Sequence, residues 1–359
     1  MRVFSLSGSR VTEADTLAVQ LPAQGFVWIA CTRKELEAEQ ANIQEALQHL
    51  AGVQLVDLHV SDLLNRQLPS HYDYTSQYDL LVFRRLASTP KAAIEAAPDA
   101  PTALRRVDTT PVGFAIFDQV LLTVHPEDCT VRDAFAARLL AGHATEARVG
   151  GARTPASPAD LMLRIVNLMV DGYLELRRVL SRMLDIWQTE LLRPRPRQTD
   201  WSPLLDARLA LHHLDEICED QRASVQDWID ALETWPQAQS PGAQRERDLL
   251  MVRSRDVLEH IERVVHHVRR LEQSAETAVQ MHFSVQSNRT NDIMRLLTTL
   301  TAVFLPLNLI AGIFGMNFEF IPLVHKQDGF WWAMGLMGAI GFALIAWFWR
   351  KKYLARPAR

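Results

Sequence analysis

Two long apolar segments near the C-terminal end constrain the fold of this chain more than any other feature. Residues 296–318 and 330–349 contain no charged side chain. Each segment has about 20 residues, which is long enough to cross a hydrocarbon core of about 30 Å as a helix. A short polar loop, residues 319–329, joins them. The sequence therefore predicts a membrane protein with two transmembrane helices in contact with lipid.

The charges that flank these segments predict their orientation. Arg289 and Arg295 precede the first segment, and the loop between the segments has a single basic residue, Lys326. The basic residues after the second segment are Arg350, Lys351, Lys352, Arg356 and Arg359. Because cytoplasmic flanks are enriched in Lys and Arg, both termini are predicted to be cytoplasmic, in a bacterial inner membrane. We also expect no cleaved signal segment, since the first residues lack a basic and apolar pattern.

The average composition does not reveal the contrast between the polar body of the chain and its two apolar C-terminal segments. Over 359 residues the chain is 48% hydrophobic and has a net charge of −4 and a mean hydropathy of −0.05. Those averages are typical of a soluble protein, and the acidic balance favours no nucleic-acid partner. Cys31, Cys129 and Cys218 lie far apart and form no CxxC pair. We therefore expect reduced thiols rather than disulfides or a cysteine metal site.

Residues 1–157 mix strand-like and helix-like segments, which predicts an N-terminal cytoplasmic α/β domain. The predicted elements are strands at 25–31 and 78–83, a helix at 34–50, and a hairpin of 112–117 and 120–124. The segment 89–111, rich in Ala and Pro, is predicted to be a loop, and 150–158 a linker.

The rest of the chain is predicted to be helical. Residues 158–242 form a cytoplasmic helical hairpin, with helices at 160–192 and 204–232, and 243–318 form a long stalk helix that continues into the first transmembrane helix. Such a helix is on the order of 100 Å long. It must pack on copies of itself or on the hairpin, so self-association is expected. The second transmembrane helix, 330–349, follows the periplasmic loop 319–329, and a basic cytoplasmic tail, 350–359, ends the chain.

The segment 291–322, NDIMRLLTTLTAVFLPLNLIAGIFGMNFEFIP, contains the tripeptide Gly315-Met316-Asn317. It resembles the signature of the CorA superfamily of divalent-cation transporters, and the similarity extends over residues 255–359 without a gap. The body matches that family only in its order of elements. The resemblance implies a funnel-shaped homopentamer with an α/β cytoplasmic domain, a long stalk helix and two C-terminal transmembrane helices.

The resemblance also implies roles for individual residues. Gly315, Met316 and Asn317 correspond to a selectivity ring of neutral oxygens, which suits Mg²⁺ because this ion sheds water reluctantly. The residues that correspond to the pore lining and gate are Asn291, Met294, Leu297, Leu305 and Asn308. Glu319 corresponds to an acidic ring at the outer mouth. Asp256 matches a carboxylate of a regulatory metal site whose partner the sequence does not locate.

Several alternatives remain open at this level. Asn308 could form hydrogen bonds between helices instead of lining a pore. Asp256 could pair with Arg253 or Arg255 as a solvated helix charge. The acidic run from Asp215 to Glu233 is either a solvated face or a region that concentrates cations.

The transported ion is also open. Relatives that import Mg²⁺ usually have Glu after the outer proline and Thr at the position of Asn308, whereas here Pro322 is followed by Leu323. His325 and two pairs, His212-His213 and His266-His267, resemble features of the zinc-handling, ZntB-like branch. We therefore expect a divalent cation, Mg²⁺ or Zn²⁺ and also Co²⁺ or Ni²⁺, as substrate and as a regulatory ligand. The alternatives are a zinc transporter, with or without proton coupling, and a non-conducting metal-sensing membrane scaffold.

Enzymatic functions are disfavoured. The sequence has no HExxH, GxxxxGK[ST] or GxSxG motif, and no GxGxxG follows a predicted strand. We expect neither an enzyme nor a cofactor.

Overall fold

A computed structural model describes residues 1–8, 10–14, 16–17, 20–87, 107–145, 154–191, 202–236, 240–316 and 328–351. Its contacts divide the chain into two compact units, Met1–Glu276 and Thr277–Arg359.

Within the described residues, the N-terminal unit contains one seven-stranded sheet. The strands are β1 Arg2–Ser7, β2 Arg10–Ala14, β3 Phe26–Thr32, β4 His71–Tyr74, β5 Asp79–Leu86, β6 Thr109–Ile116 and β7 Val120–His125. Their order across the sheet is β2-β1-β3-β7-β6-β5-β4. β3 and β7 are parallel, and the other neighbouring pairs are antiparallel. The almost fully buried strands β3 and β7 form the centre of the sheet, as expected for near-continuous apolar runs.

Helices cover both faces of this sheet. They are α1 Arg33–Ala38, α2 Gln40–Ala51, α3 Asp57–Leu64, α4 Thr130–Thr145 and α5 Pro158–Leu191. Leu36 of α1 and Ile43 of α2 share a core with Ile29 of β3. On the opposite face, the ring of Trp28 meets Phe135 of α4 edge-on, with centroids 6.1 Å apart. Because successive strand residues point to opposite faces, α1 and α4 lie on different sides of the sheet.

Three further helices complete the described chain: α6 Ser202–Thr234, α7 Pro241–Phe314 and α8 Gly329–Arg350. The Tyr173 hydroxyl of α5 and the Gln221 amide of α6 both donate to the backbone oxygen of Arg84, at 2.9 and 2.7 Å. The indole N–H of Trp228 in α6 donates to Ser254 Oγ in α7 at 2.9 Å. The first two bonds attach α5 and α6 to strand β5, and the third joins α6 to α7.

The two predicted spans are the C-terminal part of α7 and the whole of α8. Both are long and apolar enough to cross a membrane, yet only 6% and 11% of their most apolar windows are buried in the chain. A core helix of a soluble protein would be mostly buried, so these helices have the exposure expected of lipid-facing or inter-subunit surfaces. The chain thus has the predicted fold class, an α/β domain followed by a long helix and two C-terminal apolar helices.

Some local predictions were wrong. The predicted helix 34–50 is interrupted at Glu39, and its first part begins with a capping box between Thr32 and Glu35. The predicted loop 89–111 ends too late, since β6 already begins at Thr109; residues 88–106 lie outside the described part. The predicted hairpin of β6 and β7 is confirmed, with Phe117 N donating to Val120 O at 2.9 Å. Of the predicted linker 150–158, residues 150–153 lie outside the described part, and α5 already begins at Pro158.

Gly25, which precedes β3, has a φ of +135°, and a Cβ there would overlap the backbone oxygen of Leu6. Gly25→Ala should lower the free energy of unfolding by about 3 kcal/mol, because backbone strain and steric overlap combine. Gly52 has a φ of +74° and open space around it, so Gly52→Ala should cost only about 1 kcal/mol. Thermal unfolding in detergent would measure both. Equal shifts for the two variants would contradict the packing of β1 against the start of β3.

Candidate functional site

The predicted pore residues share one face of α7. Asn291, Met294, Leu297, Leu305 and Asn308 all lie in this uninterrupted helix. At 3.6 residues per turn they fall within a stripe about 120° wide. All five are exposed in the single chain, and Leu305 is 69% exposed. We call this stripe the front face of α7.

The partly buried residues of the same segment lie on the opposite side of the helix. Thr299 is 5% exposed, and Val303, Leu307 and Ile310 are half-buried. A methyl group on Gly341 of α8 would touch Leu307 at 3.9 Å. The back of α7 therefore meets α8, which leaves the front face uncovered within one chain.

The front face also carries two hydroxyl groups that the sequence reasoning missed. Thr298 Oγ1 donates to Met294 O at 2.8 Å, and Thr301 Oγ1 donates to Leu297 O at 2.9 Å. Since each hydroxyl hydrogen is used inside the helix, the oxygen lone pairs remain available to accept from water. The helical spacing of Thr298 and Thr301 from Leu305 could have identified them.

Helix α7 ends at the tripeptide of the predicted selectivity ring. Gly315 N donates to Ala311 O at 2.9 Å, and Met316 N donates to Ile313 O at 3.3 Å. Gly315 and Met316 are exposed. Asn317, Glu319, Leu323 and His325 lie outside the described residues. Of the predicted ring, the structure therefore places Gly315 and Met316 at the C-terminal end of the front face.

Asp256 lies on the part of α7 that belongs to the N-terminal unit. Its carboxylate is exposed and is 3.8 Å from His260 Nε2. Arg253 pairs with the buried Asp160 instead, and Arg255 pairs with Glu233 at 3.6 Å. The alternative in which Asp256 is neutralised by one of these arginines is therefore not observed.

Asp256 borders a cleft of about 390 Å³ between α4, α5 and α7. Asp171 and Asn167 of α5 line the same cleft, and Asn167 Oδ1 is buried without a hydrogen-bond partner. Arg253 lines it as well, and burial lowers the pKa of its guanidinium, with Asp160 acting in the opposite direction. Two carboxylates and an amide oxygen therefore line the same cleft.

One histidine of each pair contacts a neighbouring helix. His212 approaches Glu216 of its own helix at 3.7 Å and Glu272 of α7 at 3.8 Å. His267 Nε2 is 2.7 Å from Ser181 Oγ, and burial together with Arg177 and Arg270 lowers the pKa of this imidazole. Within the described residues, no group of three or more His, Cys, Asp or Glu side chains is arranged to hold a metal ion. The three cysteines are buried and free.

Basic side chains partly neutralise the acidic run of α6. Arg269 of α7 pairs with Asp215 at 3.0 Å and also with Glu219. Burial, and then the neighbouring Glu216, raise the pKa of Asp220. The run therefore combines helix–helix ion pairs with exposed carboxylates.

The contact between α7 and α8 can be tested at Gly341. Gly341→Leu should push α8 away from Leu307 and lower the free energy of unfolding by about 1–3 kcal/mol, as overpacking does. Gly338 lies on the same helix, and a Cβ added there would meet nothing within 4 Å, so Gly338→Leu serves as the control. Thermal unfolding in detergent measures both variants. A larger loss for Gly338→Leu would contradict the packing described.

A family model and several known proteins match the sequence of this chain. A family model described as CorA-like Mg²⁺ transporter protein matches residues 23–352. The chain is 25% identical over 194 residues to the cobalt/magnesium transport protein CorA of Thermotoga maritima, which covers 54% of this chain and 52% of that protein. It is 33% identical over 101 residues to the magnesium transport protein CorA of Haemophilus influenzae, covering 28% of this chain and 32% of that protein. These alignments span about half or less of the relatives' lengths.

A solved structure matches over nearly the whole chain. It is the CorA magnesium transporter from Methanocaldococcus jannaschii, with a TM-score of 0.70, 19% sequence identity and coverage of 98% of both chains. At this level of identity the match shows a common fold.

Proposed function

The chain belongs to the family of CorA-like Mg²⁺ transporter proteins, and on that basis we propose that it conducts divalent metal cations through a membrane as a homopentamer. The observation that carries this proposal is the front face of α7. It is uncovered in the single chain and combines apolar side chains with Asn308 and two threonine oxygens. Five copies of this face around one axis would line a pore.

The residues of the front face have complementary roles in such a pore. Leu297 and Leu305 would narrow it, and an apolar constriction can close by losing its water. Asn308, Thr298 and Thr301 would offer neutral oxygens to the water shell of a passing ion. Mg²⁺ keeps that shell tightly, so a ring of neutral oxygens can hold the ion without stripping it.

The proposed selectivity ring consists of Gly315, Met316 and Asn317, with Glu319 as an acidic ring beyond it. Inward movement of a doubly charged ion gains about 4.6 kcal/mol per 100 mV of inside-negative potential. Uptake therefore needs no nucleotide hydrolysis. The basic flanks of both spans favour a bacterial inner membrane with both termini in the cytoplasm.

Asp256 is proposed as a ligand of a regulatory metal ion between subunits. A bound divalent cation would offset the repulsion between carboxylates and favour a closed pore, and its loss would loosen the pentamer. Two observations support this role: Asp256 is exposed, and neither neighbouring arginine pairs with it.

Ion flux into liposomes tests the conducting role and separates the possible ions. With Mg²⁺, Zn²⁺, Co²⁺ and Ni²⁺ measured separately, Asn317→Ala should reduce flux of the preferred ion about tenfold or more, because a polar contact with the hydrated ion is lost. Asn288→Ala is the control, since Asn288 is an asparagine of α7 that lies about 120° from the centre of the front face.

The same assay distinguishes the alternatives. Zinc flux that depends on a pH gradient would assign the protein as a proton-coupled zinc transporter. A pentamer that conducts none of the four ions would instead indicate a membrane scaffold or metal sensor, and equal flux in Asn317→Ala and wild type would contradict the proposed ring.

Inhibition by internal Mg²⁺ tests Asp256. Asp256→Ala should raise the internal concentration needed for half-inhibition about tenfold or more, since a metal ligand is removed. Asp248→Ala is the matched control, because Asp248 is an exposed acid of the same helix that accepts from Gln244 at 2.8 Å. Unchanged inhibition in Asp256→Ala, measured beside unchanged flux, would show that Asp256 has no sensing role.

A further inference from the structure

The centre of the sheet contains a topological switch point. β3 and β7 are adjacent and parallel, but the chain leaves β3 for α1 on one face and leaves β7 for α4 on the other. In open α/β sheets, ligands bind beyond the carboxyl ends of the strands at such a point. We call this region the carboxyl edge; it includes Arg33, which follows β3, and His125, which ends β7.

Two buried arginines lie at the carboxyl edge. Arg33 is 7% exposed and Arg85, near the end of β5, is 3% exposed. Arg33 donates to Pro111 O, and no described carboxylate forms an ion pair with it. Arg85 pairs with Asp128 and donates to Leu86 O at 2.8 Å. A buried guanidinium without a counter-charge is costly, so Arg33 calls for an explanation beyond packing.

Other arginines near Arg33 add to the positive charge of the carboxyl edge. Burial, and then repulsion from Arg66, Arg84 and Arg85, lower the pKa of Arg33 to about 10. Two acids lie beside this cluster: Asp128 pairs with Arg85, and Glu127 pairs with Lys34 at 2.9 Å on the exposed rim. Arg85 and Lys34 therefore have acidic partners, whereas no described carboxylate pairs with Arg33.

Four buried polar atoms at this edge have no hydrogen-bond partner: Arg33 Nε, Arg85 Nε, Thr110 Oγ1 and His125 Nδ1. Thr110 pairs directly with Arg85 across β5 and β6, and His125 pairs with Thr32, the residue before Arg33. Strand register thus places Arg85, Thr110 and His125 on neighbouring strand ends, and Arg33 lies one residue beyond the end of β3. Native proteins leave few buried polar groups unpaired, and such groups often mark a missing ligand.

All four atoms can act as donors. The guanidinium Nε atoms carry hydrogen, and the Thr110 hydroxyl can donate. Thr123 Oγ1 accepts from Trp28 Nε1 at 2.9 Å and is 2.9 Å from His125 Nε2. The Thr123 hydroxyl can therefore donate to Nε2, which places the imidazole hydrogen on Nδ1. Burial, and then Arg132 and Arg85, lower the pKa of His125 to about 3, so this imidazole is neutral.

We propose that the carboxyl edge is a binding site for a phosphate-bearing anion, held by Arg33 and Arg85 with Thr110 and His125 as additional donors. Arginine matches phosphate oxygens in a bidentate geometry, and two arginines with two neutral donors suit one phosphate group. Asp128 has a 41% exposed side chain and would be displaced from Arg85 by the incoming anion. This site is separate from the pore residues and does not depend on transport.

Equilibrium dialysis of the purified full-length chain with labelled inorganic phosphate tests the site. We expect one phosphate per chain, binding about tenfold or more weaker in Arg33→Met, and tighter binding in Asp128→Asn because a competing carboxylate is lost. Arg178→Gln is the control, since Arg178 is an exposed arginine of α5 that pairs with Glu175 and with none of the proposed phosphate ligands. Competition by metal-free ATP would assign the site to nucleotide phosphates; phosphate binding without that competition would assign it to inorganic phosphate.

Thermal unfolding without phosphate separates binding from a purely structural role. Arg33→Met should unfold at the same or a higher temperature than the wild type, because a buried unpaired charge is removed. Wild-type protein that binds no phosphate compound would overturn the proposal. Equal phosphate binding by Arg33→Met and wild type would overturn it as well.

Discussion

A hydrocarbon core offers no hydrogen-bond partner to a backbone amide or carbonyl, and the C-terminal unit depends on this constraint. Helices α7 and α8 pair their backbone groups internally, and Thr298, Thr299 and Thr301 return their hydroxyl hydrogens to carbonyls one turn back. Pro306 is the exception, because it has no N–H and leaves the carbonyl of Ala302 without its helical partner. Nearly all backbone polar groups in the apolar part of α7 are therefore hydrogen-bonded within the helix and need no partner from lipid.

The N-terminal unit has a different requirement, since it must bury polar groups as well as apolar ones. It does so with specific partners: Tyr173 and Gln221 share the carbonyl of Arg84, and Trp228 donates to Ser254. Against this background the unpaired donors of the carboxyl edge are unusual. Asn167 Oδ1 is buried without a partner in another part of the unit, but at this one sheet edge four such atoms lie together and all four can donate. Because these unpaired atoms are all donors, they favour a site for an anionic ligand over unrelated packing defects.

The sequence predicted the apolar helices and the β6–β7 hairpin because these signals are local: long uncharged runs, and apolar runs on either side of a two-residue turn. It missed β1 and β2, and it missed β4, whose four residues, His71–Tyr74, are too few to show a repeating pattern. The front-face residues were proposed from the family resemblance, and helical spacing places them on one side of α7. The carboxyl edge could not, because Arg33, Arg85 and His125 are far apart in the chain and meet only through strand order.

The polar side chains of the front face favour the proposed pore over a lipid-facing surface. Leu297 and Leu305 do not decide between them, since leucine is at no disadvantage against lipid tails. Asn308 does, because an unpaired amide facing hydrocarbon is costly, whereas the same amide facing water or a neighbouring subunit is satisfied. Asn308 is exposed on the stripe that also carries the Thr298 and Thr301 oxygens. The two threonine hydroxyls already bond within the helix, so it is Asn308 that favours a polar environment on that side, which a single chain does not supply.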